Sequence, residues 1–395
     1  MMNSEKIKNM EEAARRIRQA VQNSERVIIY GDSDLDGVSS SIMAGEIVKN
    51  LGGKVAAYYF PNRETEGYGI TETALEKLKD HAPGLLVAVD LGIGNFREVK
   101  TARKLGLSTI IIDHHEILDG VPEADIIVDP KQPGDDYPFK LFAAAGLVFK
   151  LAEEVFGHDF CGSLRQSFAE LAALATMADM MPREEGNKDI ISEGMSTLKM
   201  SFRPGIRAFF DTDAFFENDS RNFNNRVNRI ITVLNVRDIR NGVPAAFQLL
   251  TADSLERSIT LIREFLAINE LRRKKIDAMV QTVEKRINQN SPIIFEGDAD
   301  WESNLLGTIA SILSIKYQRP TFIYKELETE SQGTVRSIDG IDSVALMKKS
   351  KDLLITFGGH PKASGFRVKN ENLEKFKSGL VETLAGLKKD GPRTN

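Results

Sequence analysis

Residues 27–50 read VIIYGDSDLDGVSSSIMAGEIVKN, and this stretch decides the fold. A short apolar run gives way to an acidic turn and then to a helical pattern. A continuous apolar run marks a strand buried on both faces, as in a parallel sheet. The pattern recurs outward along the chain as VAAYYF (55–60), LLVAVD (85–90), STIIID (108–113) and DIIVD (125–129). The helical stretches SSIMAGEIVKNLGG, ITETALEKLKD and FREVKTARKLG separate these runs. Such alternation predicts an α/β fold with a doubly wound parallel sheet. Ahead of it, residues 5–22 have helical spacing, with Ile7, Ala13, Ile17 and Val21 near one face.

Further on, residues 141–182 read as helical, and residues 192–250 as helices broken by Pro204, Gly205, Gly242 and Pro244. Residues 254–289 are long, charged and nearly devoid of glycine and proline, as suits a connecting helix. A second, smaller α/β pattern starts at Pro292 with IIFEGD, LLGTIASILSIKY, TFIYKE and SQGTVRS. The expected organisation is a sheet domain with a helical extension (1–250), a connecting helix (251–290) and a C-terminal α/β domain (291–395).

With 42% apolar and 28% charged residues, the 395-residue chain has globular composition. A net charge of −5 excludes a general polycation, though not a local basic groove. The single cysteine, Cys161, excludes an internal disulfide and fits a reducing compartment. The N-terminus is polar, without a signal-peptide apolar region. The run LFAAAGLVF (141–149) is far shorter than the about 20 residues of a membrane span. The expectation is a cytoplasmic protein with no membrane association.

The main chemical signal is a set of acids and histidines placed just after strands. Asp32, Asp34 and Asp36 follow the first, Asp90 follows LLVAV, and Asp113-His114-His115 follows STIII. Asp179 lies in a helical segment, ATMADMMP. Ligands gather at the carboxyl ends of parallel strands, so these groups should meet at one sheet edge. In an extended segment Asp32, Asp34 and Asp36 would face one side. Three unpaired carboxylates there would repel one another, and a divalent cation would remove the conflict. Oxygen and imidazole donors without thiolate suit Mn²⁺ or Mg²⁺. His114 and His115, in extended chain, should point apart, one to metal and one to substrate. Asp125 and Asp129 read as turn or cap residues.

A second signal is FGGHPKASGF (357–366), where Gly358 and Gly359 permit close backbone approach beside His360, Lys362 and Ser364. Arg336, in GTVRS, adds a candidate phosphate fork. Beside a metal-binding domain these read as a substrate clamp. A third signal is the basic stretch 221–240, with Arg221, Arg226, Arg229, Arg237 and Arg240, which reads as a groove tracking phosphates. RRKK (272–275) reads as a solvated helix face, and Trp301 as a packing residue.

These motifs resemble the DHH phosphoesterase superfamily, and within it the RecJ-type single-strand nucleases. YGDSDLDGVSS, AVDLGIGN, IDHHE and ATMADMMP are similar to its four metal motifs. PNRETEGYGI (61–70) and DPKQPGDDYPFK (129–140) resemble segments following the strands. TVRSIDGID and FGGHPKASGF resemble the DHH-associated domain, so the match spans roughly residues 25–370. The resemblance implies two ions, Mn²⁺ or Mg²⁺. One would be held by Asp32, Asp34 and Asp90, the other by Asp36, Asp90, His114 and Asp179. It implies that His115 contacts the scissile phosphate or aids its leaving group, and that Asp113 orients the histidines. Arg336 and His360 would grip phosphates.

The implied activity is two-metal hydrolysis of single-stranded nucleic acid from an end. Short oligoribonucleotides or cyclic dinucleotides are alternative substrates, and a replisome scaffold is an alternative class. NRVNRIITVLN (225–235) departs from the family's Gly-Arg element in this region, which puts nucleic-acid contacts there in question. The family's β-barrel nucleic-acid domain has no room after the clamp motif in these 395 residues. A replication or repair protein supplying affinity, or a short substrate, is therefore expected.

Overall fold

Val27 and Ile29 pack on one side of the first strand, and Ile28 and Tyr30 on the other, in two separate cores. This period-two division of an apolar run is what a sheet covered on both faces requires. The computed structural model describes residues 6–389 except 64, 213–214, 216–221 and 237. Its first sheet is made of β1 (Arg26–Gly31), β2 (Val55–Tyr59), β3 (Gly84–Val89), β4 (Leu107–Ile112) and β5 (Ile126–Val128). The order is β2-β1-β3-β4-β5 and every pairing is parallel. The order reverses between β1 and β3, which is the switch point where such sheets open a crevice at their carboxyl ends.

One face is covered by α1 (Met10–Gln22), α2 (Leu35–Asn50), α5 (Ala144–Phe156) and α6 (Gly162–Ala178). The other is covered by α3 (Glu72–Leu78) and α4 (Phe96–Lys104). Helices α7 (Glu185–Thr197), α8 (Pro204–Asp211), α9 (Phe223–Leu234) and α10 (Ala245–Leu250) extend the larger core, with the short ribbon β6 (Ile239–Arg240) and β7 (Val243–Pro244) between the last two. The 32-residue α11 (Leu255–Arg286) follows. The chain divides within it, between Asn269 and Glu270, into two compact units.

The second unit has a mixed sheet of β8 (Ile294–Asp298), β9 (Thr321–Glu326), β10 (Glu330–Arg336), β11 (Leu354–His360) and β12 (Ala363–Lys369). Its order is β11-β12-β10-β9-β8, with only β8 and β9 parallel. α12 (Ser303–Tyr317) follows β8, and α13 (Ser343–Lys348) and α14 (Leu373–Lys389) complete the unit. Trp301 is buried in an apolar cluster with Leu305, Ile309 and Val283, a packing role as the sequence suggests. Among the described residues no helix is long and apolar enough to cross a membrane.

Candidate metal centre

Three adjacent strands deliver the acids to one place. Asp32 follows β1, Asp90 follows β3 and Asp113 follows β4. Asp179 caps the far end of α6. Asp32, Asp36, Asp90, Asp113 and His114 are all buried. Their donor atoms form three overlapping groups: Asp32, Asp34 and Asp90; Asp36, His114 and Asp179; and Asp90, His114 and His115, each within 4.8 Å. Asp90 and His114 each belong to two groups, so two neighbouring cation positions sharing ligands fit this donor set. The buried Oδ2 of Asp179 has no hydrogen-bond partner, as a waiting ligand atom would not. The donors are oxygens and imidazole nitrogens, a set for hard divalent ions.

The first acidic motif is not extended through Asp36. Helix α2 starts at Leu35, because the Asp34 side chain accepts the Gly37 N–H at 3.2 Å and caps it. Asp36 therefore sits in the first helical turn and does not repeat the direction of Asp32. Its two oxygens accept the N–H groups of Ala144 and Ala145, each at 2.8 Å. Helix α5 begins after Ala143 with no side-chain cap of its own, so Asp36 caps it from 108 residues away. Asp90 adopts a left-handed backbone (φ 63°), which Asp tolerates better than most residues.

The histidines differ in partner although their rings lie close, with centroids 4.6 Å apart. The chain after β4 is irregular, so the rings converge where extended chain would separate them. His114 Nε2 lies 3.2 Å from Asp90 and 3.7 Å from both Asp36 and Asp179. His115 Nδ1 lies 2.7 Å from Asp113 Oδ1. Asp113 also accepts the N–H groups of Ile93, His114 and His115. Burial opposes its charge, but the His115 contact and these donors outweigh burial and hold the carboxyl below its ordinary value.

Three side chains at this edge went unread in the sequence. Arg63, after β2, pairs with Asp32 through Nε at 2.7 Å and through Nη2, and reaches Asp34 at 2.9 Å. Tyr68 lies under that guanidinium, 5.1 Å from its ring centroid, with its hydroxyl 3.2 Å from His115 Nε2. Lys131, after β5, pairs with Glu116 at 2.8 Å; burial and the Asp34 charge raise Asp179 above its ordinary value, partly offset by the charges of His115 and Lys131. The available signals were their place in the family-like segments 61–70 and 129–140 and their position, each following a strand of the same sheet at the same end as the acids. Asp125 accepts the Thr109 N–H of β4 at 2.7 Å, a cross-strand bond just before β5 rather than a local turn or cap. Asp129 does form a turn, accepting the Lys131 N–H, but its other oxygen is buried without a partner. Burial, with repulsion from Asp113, pushes it up to about 7.

The other carboxyls shift the same way. Burial, with repulsion from Asp34 and Asp179, pushes Asp36 up to about 8 against its two N–H donors. Burial and the neighbouring carboxylates raise Asp90 well above its ordinary value. Burial brings His114 down to about 4, helped by the charge of His115. Burial opposes the charge of His115 as well, but Asp113 outweighs it and raises that pKa. The raised carboxyls keep protons in the native state that the unfolded chain has released, so they stabilise below the ordinary carboxylate range and lose this as pH rises. His114 acts oppositely between about 4 and 6.5 and offsets one of them. The unfolding midpoint of metal-free protein should therefore fall from about pH 5 to about pH 8. A scanning-calorimetry series in EDTA checks this, and a midpoint rising over that window contradicts it.

The remaining candidates lie elsewhere in the chain. Arg226, in α9, donates from Nη1 to the Phe209 carbonyl of α8 at 2.6 Å, and the Nε of Arg229 is buried. Both are half-buried, and the Arg226 bond ties α9 to α8, unlike a residue of an open phosphate groove. Arg221 and Arg237 lie outside the described residues, and Arg240 is in β6. In the second unit, Arg336 ends β10 half-buried, donating to Thr334 Oγ1 and the Val335 carbonyl, each at 3.0 Å. Gly307 leaves room for its guanidinium, since a Cβ there would stand 3.2 Å from Nη2. Gly358, Gly359 and His360 lie exposed in the edge strand β11. Gly359 is fixed as glycine by the hairpin: its φ is 127°, and a Cβ would meet the Ala363 carbonyl at 2.6 Å. Gly358 faces open space. Lys362 is exposed and pairs with Asp339.

Residues 26–176 match the DHH family, N-terminal domain, and residues 273–386 match the DHHA1 domain. The chain thus carries a DHH-family domain followed by a DHHA1 domain, with the acid-histidine edge just described in and just after the first. It is 33% identical over 381 residues to the single-stranded-DNA-specific exonuclease RecJ of Bacillus subtilis. That match covers 95% of this chain and 48% of the relative, so the chain spans about half the relative's length. A crystal structure of exonuclease RecJ bound to manganese superimposes with a TM-score of 0.81 at 25% identity, covering 96% of this chain and 95% of that one. RecJ of Thermus thermophilus in complex with Mn²⁺ shares the fold, with a TM-score of 0.80 at 23% identity, over 98% of this chain and 56% of that one.

Proposed function

We propose that the protein is a metal-dependent exonuclease that hydrolyses single-stranded nucleic acid from an end. The carrying observation is the set of three overlapping donor groups at the switch point, with Asp90 and His114 shared. In this reading Asp32, Asp34 and Asp90 hold one Mn²⁺ or Mg²⁺. Asp36, Asp90, His114 and Asp179 hold the other. Two such ions would supply Lewis-acid polarisation of the phosphate and an activated water. RecJ relatives act on single-stranded DNA and solved RecJ structures bind manganese, which supports this reading.

The protein's own groups have separate tasks. His114 is neutral because burial lowers its pKa, so its lone pair is available as a ligand. Asp113 fixes the His115 ring through Nδ1, leaving Nε2 for work at the leaving group. Lys131 and Arg63 bring positive charge to an edge otherwise rich in carboxylates. In the second unit, Arg336, the Gly358–His360 strand and Lys362 are assigned to gripping substrate phosphates. Arg226, bonded inward to the Phe209 carbonyl, and Arg229, with its Nε buried, are the weakest candidates for such contacts. We place the activity in the cytoplasm, with a replication or repair protein adding affinity for long strands.

The test is digestion of end-labelled single-stranded DNA, matched RNA and a dinucleotide with Mn²⁺, beside a His114→Ala control. Stepwise shortening of long strands, lost in the variant, is the expected result. Cleavage of the dinucleotide alone would move the protein to clearing short oligonucleotides. Shortening that persists in the variant would sink the assignment of this site.

A further inference from the structure

Asn187 is fully buried in the first turn of α7, and its side-chain amide spans two separate segments. Nδ2 donates to the Leu141 carbonyl at 2.7 Å and to the Pro182 carbonyl at 2.9 Å. Both acceptors are carbonyls, so only the nitrogen can face them. Oδ1 is buried with no partner, a costly arrangement that the two nitrogen bonds must offset. Each tied segment leads to one carboxylate of the second proposed cation position. Leu141 stands just ahead of α5, whose Ala144 and Ala145 N–H groups hold both oxygens of Asp36 at 2.8 Å. Pro182 stands just past Asp179, whose buried Oδ2 has no hydrogen-bond partner, so its place is set by the main chain. There the Asp179 N–H donates to the Ala175 carbonyl at 2.9 Å, and the Met181 N–H to that of Thr176 at 3.1 Å. A Cβ on Gly186 would meet the Phe142 ring at 2.6 Å, so α7 lies flush on the residue between Leu141 and the start of α5. Asp36 and Asp179 both approach His114 Nε2, each at 3.7 Å. Asp32 and Asp34 are held instead by Arg63, after β2.

We infer that Asn187 is a positioning residue that sets the spacing of Asp36 and Asp179, and with it the affinity of one cation position and not the other. The inference deepens the two-cation reading above and rests on it. Without the bridge the two segments are free to part. A cation must then order them as it binds, which weakens its binding. The position that uses Asp32 and Asp34 lacks this dependence, because neither tied segment carries those ligands.

The test counts bound Mn²⁺ from the loss of the free-ion electron paramagnetic resonance signal. Asn187→Leu keeps the side chain's approximate volume and removes both bonds. One of two ions should then bind about 10–100-fold more weakly, the usual effect of losing a group behind the ligands. The other should stay within about threefold of the parent. In an Asp179→Ala background the substitution should not weaken the remaining ion further, because the position it serves is already impaired. Ile262→Val, in the same core on α11, is a control for lowered stability alone and should keep both ions. Equal weakening of both ions, or of neither, overturns the proposal, as does the same selective loss in Ile262→Val. A measurement on the parent covers the case in which Asn187→Leu does not fold. Coupling between two sites is reciprocal, so saturating Mg²⁺ should slow hydrogen exchange of the Asn187 side-chain amide about tenfold or more. Exchange at an unchanged rate overturns the inference as well. A parent protein that bound no Mn²⁺ would instead remove the proposed function, and this inference with it.

Discussion

Asp90→Asn should abolish turnover while making the metal-free protein more stable. Asp90 is buried among Asp36, Asp34, Asp32 and Asp113, and its charge is disfavoured by burial first and by their repulsion next. An amide is nearly isosteric and removes that conflict. Asparagine also tolerates the left-handed backbone at this position, where alanine would add strain and blur the result. The gain expected in the metal-free state is about 1 kcal/mol, roughly 2–4 °C in Tm for a unit of this size. The loss in turnover should be on the order of 10³-fold or more, since in the proposed reading Asp90 would be a ligand shared by two ions, each worth several kcal/mol in the transition state. Calorimetry in EDTA and a nuclease assay in Mn²⁺ measure the two halves. Near-wild-type turnover would remove Asp90 from the site, and a lower Tm would refute the repulsion argument.

Arg63→Ala should show the opposite pattern in the metal-free state. Asp32 is buried, and Arg63 is bonded to both of its oxygens and to Asp34. Removing one partner of a buried pair costs about 3–5 kcal/mol, and the low end applies because a third of the Arg63 side chain is exposed. Mn²⁺ should restore much of this, as about 2.7 kcal/mol is available at a hundredfold excess over Kd. The variant should therefore show a larger Mn²⁺-induced rise in Tm than the parent. An equal rise in both would mean that the Arg63 pairs do not share space with a cation.

The sheet was legible because each of its strands is a short apolar run followed by a change of period. All five fell where the runs predict, and so did the convergence of Asp32, Asp90 and Asp113. What sequence spacing could not give was the direction of Asp36. The i, i+2, i+4 rule holds only for extended chain, and Asp34 starts a helix one residue too early for it. Asp129 was read as a turn residue, and that role holds, but the reading was incomplete for a related reason. Its turn role is local and visible, whereas its buried second oxygen depends on packing against distant strands. Arg63, Tyr68 and Lys131 lie in the family-like segments 61–70 and 129–140, but the resemblance gave them no individual role. They matter because β2, β1, β3, β4 and β5 are neighbours in that order, which is a fact of topology. In the basic stretch, charge in sequence does not reveal that Arg226 reaches inward to a carbonyl.

Asp36 also bears on how loss-of-function data for this protein are interpreted. Because its carboxylate caps a helix 108 residues away, a dead Asp36 variant carries two lesions at once. A saturation scan scored by activity would rank Asp36 beside Asp90, yet the two failures would differ in kind. One removes a donor from an otherwise sound scaffold, while the other also uncaps α5 and lowers the amount of folded protein. Abundance scored alongside activity would separate them, and only Asp36 should be depleted in both.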